Sequence, residues 1–302
     1  MHVTDLRAPV GAILGRRYRL TEALGSGGSG AVYRAVDQRL DREVAVKLFD
    51  LGAADSEEIR RYAAEARVLA GLAHPHLVAL LDVGADQVDG VGPVAFLVME
   101  LVEGRTLRDT IVDGALPRGL AADVGRQLAL ALGHAHAAGV VHRDVKPSNV
   151  LVSDATVRTG RLDGPWLPVV LADFGIAVSR TSAQASDRRS SSGTASYQSP
   201  EQALGRDVGP ASDVYSLGLV LLECLTGERA YPGDPLTSSL ARLLRPVDVP
   251  ADLGRDWVRL LAGMTATEPA DRPSPTAIAA ELRALRSVDP PLPGDPQAEP
   301  PA

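Results

Sequence analysis

The stretch Gly25–Tyr33, "GSGGSGAVY", decides how the rest of the chain is read. By composition, Gly25 to Gly30 is a flexible Gly/Ser linker. By spacing, it is G-x-G-x-x-G followed by Val32, a backbone able to lie close over phosphates. Linkers separate domains, whereas this run sits between "RYRLTEAL" (17–24) and "AVYRAVD" (31–37), both with the β-branched and aromatic content of strands. That placement favours a hairpin. A further segment, "REVAVKLF" (42–49), alternates as a strand does. Val44, Val46 and Leu48 fall on one face, Ala45 and Lys47 on the other.

Next comes "SEEIRRYAAEARVLAGL" (56–72), which reads as a helix with Ser56 as N-cap and Glu57 and Glu58 in its first turn. Ile59, Tyr62, Ala66 and Leu69 form an apolar stripe, and Glu65 falls on its edge. A carboxylate beside a core calls for a cationic partner. Two more strands are expected in "HPHLVALLDVG" (74–84) and "VAFLVMELVEG" (94–104), then helices over 120–139, 211–227, 255–265 and 274–287. A strand-rich first third before a helix-rich remainder implies two lobes of different class. The proline-dense end, 288–302, reads as disordered.

The bulk numbers exclude several classes. A chain of 302 residues holds two ordinary domains or one large bilobal one, and 45% hydrophobic content supports sizeable cores. A formal charge of −7 argues against nucleic-acid binding by net charge. One cysteine, Cys224, excludes an intramolecular disulfide framework, and its setting in "LGLVLLECL" makes it a buried thiol. That apolar run is too short to span a bilayer, and "MHVTDLRAPV" lacks the core of a signal peptide. The expectation is a soluble, cytoplasmic protein of a reducing compartment, with no membrane segment in this chain.

Four landmarks follow the glycines: Lys47 closing "VAVK", "HRDVKPSN" (142–149), "DFG" (173–175) and "GTASYQSPE" (193–201). Alone, Lys47 reads as a snorkelling surface lysine and Asp-x-Lys-Pro-x-Asn as a turn. The second motif lies after "GVV" and before "VLV", on a loop expected between strands, where active-site residues concentrate. Five motifs in this order resemble the eukaryotic-type (Hanks-type) protein kinases, in particular the bacterial serine/threonine group, along residues 17–287.

The resemblance implies an α+β, bilobal protein kinase fold. A small antiparallel β-sheet N-lobe with one key helix (17–103) would precede a larger, mostly helical C-lobe (104–287). An N-terminal extension (1–16) and the tail (288–302) would flank them. It also implies transfer of the γ-phosphoryl group of ATP to Ser or Thr hydroxyls of proteins, with Mg²⁺, or Mn²⁺ in its place. Such transfer is mainly positioning and charge neutralisation. Gly25, Gly27 and Gly30 would let the backbone approach the triphosphate without Cβ clashes. Leu24, Val32 and Ala45 would contact the nucleotide, Met99 would be the gatekeeper, and Glu100 to Val102 the hinge that bonds adenine. Lys47 would meet the α- and β-phosphates and pair with Glu65.

By the same resemblance Asp144 is the base, Lys146 contacts the transferred phosphate, and Asn149 and Asp173 offer oxygen to a hard cation. The lysine of "DVKPSN" points to Ser or Thr rather than Tyr substrates. Asp213 would anchor the catalytic-loop backbone, Glu201 and Arg272 would form a buried ion pair, and His142 and Phe174 would pack with Leu69. Thr194 would contact Lys146 and Asp144. His134 and His136, two apart on a helix, point away from each other and cannot share a metal.

Two departures stand out. Residues 153–168, carrying Trp166, exceed the short turn usual in the family and are expected to fold against the helical lobe. "SPE" replaces the commoner "APE". Protein substrates are the implied partners, with self-association for trans-autophosphorylation. Arg143 beside Asp144 suggests that phosphate within 181–192, foremost at Ser190 to Ser192, orders the activation segment. The alternatives are a nucleotide-binding pseudokinase or scaffold without turnover, and a small-molecule kinase. Loss of Lys47, Asp144 or Asp173 would have favoured the first, and the peptide-docking "GTASYQSPE" argues against the second.

Overall fold

The computed structural model describes residues 8–27, 30–51, 66, 68–154, 167–174 and 195–286. They fall into two compact units, and the chain passes from the first to the second between Val102 and Glu103, with Pro75–Leu77 counted in the second.

The first unit is a six-stranded antiparallel sheet. Its strands are β1 (Ile13–Leu14), β2 (Tyr18–Gly27), β3 (Gly30–Asp37), β4 (Arg42–Asp50), β5 (Leu80–Val88) and β6 (Gly92–Glu100), in the order β1-β2-β3-β4-β6-β5. Alternation fixes which face is the core. Tyr33, Val46 and Val98 lie side by side, as do Ala31, Leu48 and Phe96, and all six are buried in one apolar cluster with Leu14, Leu20 and Val44. The other face carries the rows Val32–Lys47–Leu97 and Arg34–Ala45–Met99. The two ends of the sheet are tied by side chains: Asp86 accepts from the Gly15 amide at 2.7 Å, and Asp82 meets Arg17 at 3.2 Å. Arg17 also grips buried Asp37 with two bonds of 2.7 Å, and this guanidinium holds the Asp37 carboxyl down at about 2.

The second unit combines a small sheet, β7 (Gly104–Thr106), β8 (Val150–Ser153) and β9 (Val169–Leu171), with seven described helices. These are α1 (Leu107–Val112), α2 (Arg118–Ala137), α3 (Pro200–Ala203), α4 (Pro210–Thr226), α5 (Pro235–Leu244), α6 (Arg255–Met264) and α7 (Pro275–Arg286). Helix α4 is the core element: every residue from Ser212 to Leu225 is buried, Cys224 included. It stops at Gly227, whose φ of 77° gives the left-handed cap that glycine adopts without a Cβ penalty.

Several sequence expectations are corrected. The 74–84 strand begins only at Leu80, because Pro75 lacks a donor and Leu77 instead makes an isolated parallel bridge to Leu171. The 94–104 strand ends at Glu100, and residues 101–103 lead to β7. Val140 and Val141 form no strand, so the "HRDVKPSN" motif has a strand on its C-terminal side alone, β8, reached through a 3₁₀ turn at Pro147–Asn149. Helices α1, α3 and α5 go beyond the sequence expectations: α1 and α3 are short, and the leucine stripe of α5 faces outward rather than into the core. Of the 56–72 helix, Ala66 and residues 68–70 are helical, and Glu65 with the rest of its N-terminal part lies outside the described residues.

Candidate active site

In the first unit, strand pairing places the expected nucleotide-contacting residues. Val32, Ala45, Lys47 and Met99 share the face opposite the core, since Val32 pairs with Lys47 and Ala45 with Met99. Lys47 is only 5% exposed, with Nζ 5.5 Å from the centre of the Phe49 ring. Glu100 closes β6 by a reciprocal pair with Ala79: its amide donates to the Ala79 carbonyl at 3.0 Å, and its carboxylate accepts from the Ala79 amide at 3.0 Å. Val102 is half-buried and Leu24 is 44% exposed.

The glycines do not all answer to one demand. Gly30 has φ +129°, and a Cβ there would run into the Leu48 carbonyl oxygen. The sheet itself therefore requires it. Gly25 meets nothing within 4 Å and is free of that constraint. Gly27 continues β2 and pairs with Gly30.

In the second unit, the 142–149 segment is held almost atom by atom. Asp213, in the first turn of α4, accepts from the backbone amides of His142 and Arg143, both at 2.8 Å. His136 on α2 orients that carboxylate, its Nε2 lying 2.7 Å from Asp213 Oδ2. His142 is fully buried, and burial pushes its pKa down. Neutral imidazole fits its bonds: Nδ1 accepts from the Asp144 amide at 3.3 Å and Nε2 faces the Ala172 carbonyl at 3.0 Å. Its ring packs on Phe174 with centroids 4.7 Å apart.

Asp144 is the centre of the cluster. Lys146 Nζ lies 2.7 Å from Asp144 Oδ2, and Asn149 Nδ2 donates to that oxygen at 3.0 Å and to the Asp144 carbonyl at 2.8 Å. Both of these side-chain donors meet Oδ2, and among the described residues none donates to Oδ1. The Ala172 amide bonds the Asn149 carbonyl at 2.8 Å, which brings Asp173 to the start of β8. Arg143 and Asp173 both adopt left-handed backbone, with φ of 66° and 57°. Such strain costs on the order of 1–3 kcal/mol per residue and gathers at functional positions.

The donor set suits a divalent cation. Asn149 turns its amide nitrogen to Asp144, which leaves its oxygen facing elsewhere, and the Asp173 carboxylate follows directly on the residue bonded to Asn149. Amide and carboxylate oxygens are hard ligands, as Mg²⁺ requires. Among the described residues no group of three His, Cys, Asp or Glu gathers as a metal cluster.

Sequence reasoning did not find several residues that shape this region. Gln202 completes the Ser199 capping box of α3, and its Nε2 also donates to the Arg143 carbonyl at 2.9 Å. The signal was present, since Ser199-Pro-Glu-Gln202 has the S-x-x-Q spacing of a capping box. Tyr197 sits between Arg108 and Glu223, while Arg108 Nη1 meets Glu223 at 2.6 Å. No local pattern announces these pairs. Glu201 and Arg272 form the expected buried pair, bidentate at 2.7 and 2.9 Å, and Ser212 adds a bond at 2.5 Å. Burial would raise the Glu201 pKa, but Arg272 and Ser212 outweigh it and hold it at about 2.

Several expectations fall outside the described residues: the Lys47–Glu65 pair, those on 175–194 with all the candidate phosphorylation sites and Thr194, those on 155–166 of the insertion with Trp166, and those on 1–7 and the 288–302 tail. The ends of the insertion are placed. Ser153 bonds the Pro168 carbonyl at 3.0 Å, and Gln127 of α2 clasps Leu167 and Val169 at 3.0 and 3.1 Å. The insertion thus leaves and re-enters on the β8–β9 hairpin of the second unit.

An antiparallel sheet unit, a mainly helical unit and a loop centred on Asp144 define a phosphotransferase fold of the kinase class. The family model for the protein kinase domain matches residues 18–282, and the chain belongs to that family. It is 42% identical over 267 residues to the serine/threonine-protein kinase PknA of Mycobacterium tuberculosis, covering 87% of this chain and 59% of that protein. It is 41% identical over 283 residues to PknL of Mycobacterium bovis, covering 91% of this chain and 67% of that protein. The crystal structure of the Mycobacterium tuberculosis PknI kinase domain matches with a TM-score of 0.68 and 28% identity, covering 92% of this chain and 99% of that one. The chain spans 59% of the length of the PknA relatives. No described helix is long and apolar enough to cross a membrane.

Proposed function

We propose that this chain is an ATP-dependent serine/threonine protein kinase. The observation that carries the proposal is Asp144: its backbone is fixed through His142 and Asp213, and Lys146 and Asn149 both hold one carboxylate oxygen, Oδ2, which orients the group. Asp144 accepts the hydrogen bond of a Ser or Thr hydroxyl and aims its oxygen at the γ-phosphorus. The new O–P bond forms as the bridge bond to the β-phosphate breaks, ADP leaves, and the hydroxyl proton passes to Asp144. Lys146 steadies the charge on the transferred group. Lys47, partnered by Glu65, binds the α- and β-phosphates. Val32, Ala45 and Leu24 contact the nucleotide, with Met99 as gatekeeper. The Glu100 amide is engaged by Ala79, so its carbonyl and the Val102 backbone serve adenine. Asn149 and Asp173 would hold Mg²⁺, or Mn²⁺, which when bound neutralises phosphate charge.

Residues 17–103 and 104–287 serve as the N- and C-lobes, and phosphate within 181–192 orders the activation segment through Arg143. Self-association would supply the second copy for trans-autophosphorylation. One experiment tests chemistry and regulation together. Incubated with Mg-ATP and a generic protein substrate, the wild type transfers phosphate, while Asp144→Asn binds ATP normally and turns over ~10²–10⁴-fold more slowly. Mass spectrometry of the same samples shows modified residues within 181–192 in the wild type alone. Near-normal turnover by Asp144→Asn would remove the role assigned to Asp144.

A further inference from the structure

Helix α5 is inside out. Leu236, Leu240 and Leu244 are 68%, 49% and 83% exposed, while Ser238 and Arg242 are buried. Burying an arginine takes a strong compensating environment. No carboxylate supplies it here: among the described residues Arg242 makes no salt bridge, and burial lowers its pKa. Its guanidinium is surrounded by dipoles instead. Nη1 donates to the Gln198 carbonyl, Nη2 to the Ala195 carbonyl, Nε to the Ser238 carbonyl at 3.2 Å, and Nη2 again to Ser238 Oγ at 3.1 Å. The group also lies 5.0 Å from the centre of the Tyr231 ring.

The two main-chain groups it holds outside its own helix are the ends of one feature. Ala195–Tyr197 is a buried 3₁₀ turn, and Gln198 follows it. Other anchors on the turn are Ser216, which donates to the Tyr197 carbonyl at 2.7 Å, and the Arg108–Glu223 pair on the Tyr197 hydroxyl. From Gln198 the chain enters the Ser199 cap of α3, and Gln202 of that cap bonds the Arg143 carbonyl next to Asp144. A continuous path of hydrogen bonds and backbone therefore joins Arg242 to the residue preceding the base. An apolar residue at 242 would leave the Ala195 and Gln198 carbonyls without these donors. What only the guanidinium fork supplies is two carbonyls gripped at once.

We propose that Arg242 is a positioning residue for the protein substrate: by clamping the Ala195 and Gln198 carbonyls it sets the 195–198 turn against Asp144. The inference rests on the kinase activity proposed above and on the family resemblance by which 193–201 docks the substrate peptide. Among the described residues Arg242 bonds Ala195, Gln198 and Ser238 and none of the nucleotide-contacting residues or Asp144, so its loss acts on peptide affinity.

The test compares wild type, Arg242→Gln and Arg242→Lys for the KM of a generic protein substrate, the KM of ATP and kcat, with ATP-binding stoichiometry to count folded molecules. Arg242→Gln is expected to raise the protein-substrate KM about tenfold or more with the ATP KM within about twofold, and Arg242→Lys to fall between, because it keeps the charge without the fork. Arg286→Gln, which loses a surface-side bond to Asp123 far along the chain, serves as the control for a purely structural loss and leaves the protein-substrate KM unmoved. An unchanged protein-substrate KM in Arg242→Gln at full ATP stoichiometry overturns the proposal. If that variant does not fold, Arg242→Lys decides: a rise of about threefold or more supports it, and none overturns it. A wild type that binds ATP yet phosphorylates no protein overturns the activity itself, and this inference with it, before any variant is measured.

Discussion

Gly25 and Gly30 occupy equivalent-looking places in one motif but answer to different forces. Gly30 is fixed by the sheet: its φ of +129° and the Leu48 carbonyl forbid a Cβ. Gly25 has neither constraint, which leaves approach to phosphate as the reason for a small residue there. Gly30→Ala should therefore lose at least ~2 kcal/mol of stability, combining backbone strain with displacement of β4. Gly25→Ala should change stability by less than ~1 kcal/mol while weakening ATP binding. Urea denaturation beside ATP titration of both variants checks the contrast. Equal destabilisation by the two would show that the sheet does not distinguish them.

At the scale of elements, the second unit is joined by polar pairs between segments that share no secondary structure. Arg272, in the connection between α6 and α7, reaches Glu201 on α3 and also the carbonyls of Ala211, Ala266 and Thr267. Its side chain is 0% exposed. Removing one partner of such a pair strands the other as a buried charge. Arg272→Ala is expected to cost ~3–5 kcal/mol, far more than a surface pair. The double variant Arg272→Leu with Glu201→Gln should recover part of that loss, since no full charge then stays buried. Thermal unfolding of the three proteins reads this directly, and no recovery in the double variant would mean that packing rather than charge dominates.

For the whole molecule, among the described residues a strongly depressed carboxylate stands in each unit: Asp37 in the first and Glu201 in the second, both at about 2. A carboxylate whose folded pKa lies below its unfolded value stabilises the fold at higher pH, and that stability is lost as pH falls through the folded pKa. The ordinary values are 3.8 and 4.5, so the contribution is complete above about pH 5 and declines from there toward pH 2. Urea midpoints should begin to fall below about pH 6.5, where His142, kept neutral by burial, resists protonation, and fall further below about pH 5 as these two carboxylates are lost. Glu201→Gln should start lower and fall less steeply in the second unit, leaving the Asp37 share intact. A midpoint that rises on acidification would contradict both assignments.

Sequence alone determined the family, the strand–strand–strand start and the identity of Lys47, Asp144, Lys146, Asn149 and Asp173 as candidates, because each motif is a contiguous run whose spacing survives without coordinates. Alternation likewise revealed the two faces of β4, since a period of two is local. Tertiary structure decided the rest. Arg242 reaches back 44 and 47 residues to Gln198 and Ala195, and Gln202 reaches back 59 to Arg143. Neither contact leaves a periodic trace. Helix α5 even reverses the polarity rule, exposing leucines and burying an arginine, because two backbone carbonyls from a distant turn need donors more than the core needs another leucine. Gly30 tells the same story in miniature: the motif names the residue, but only the packed neighbour, Leu48, shows which force keeps it a glycine.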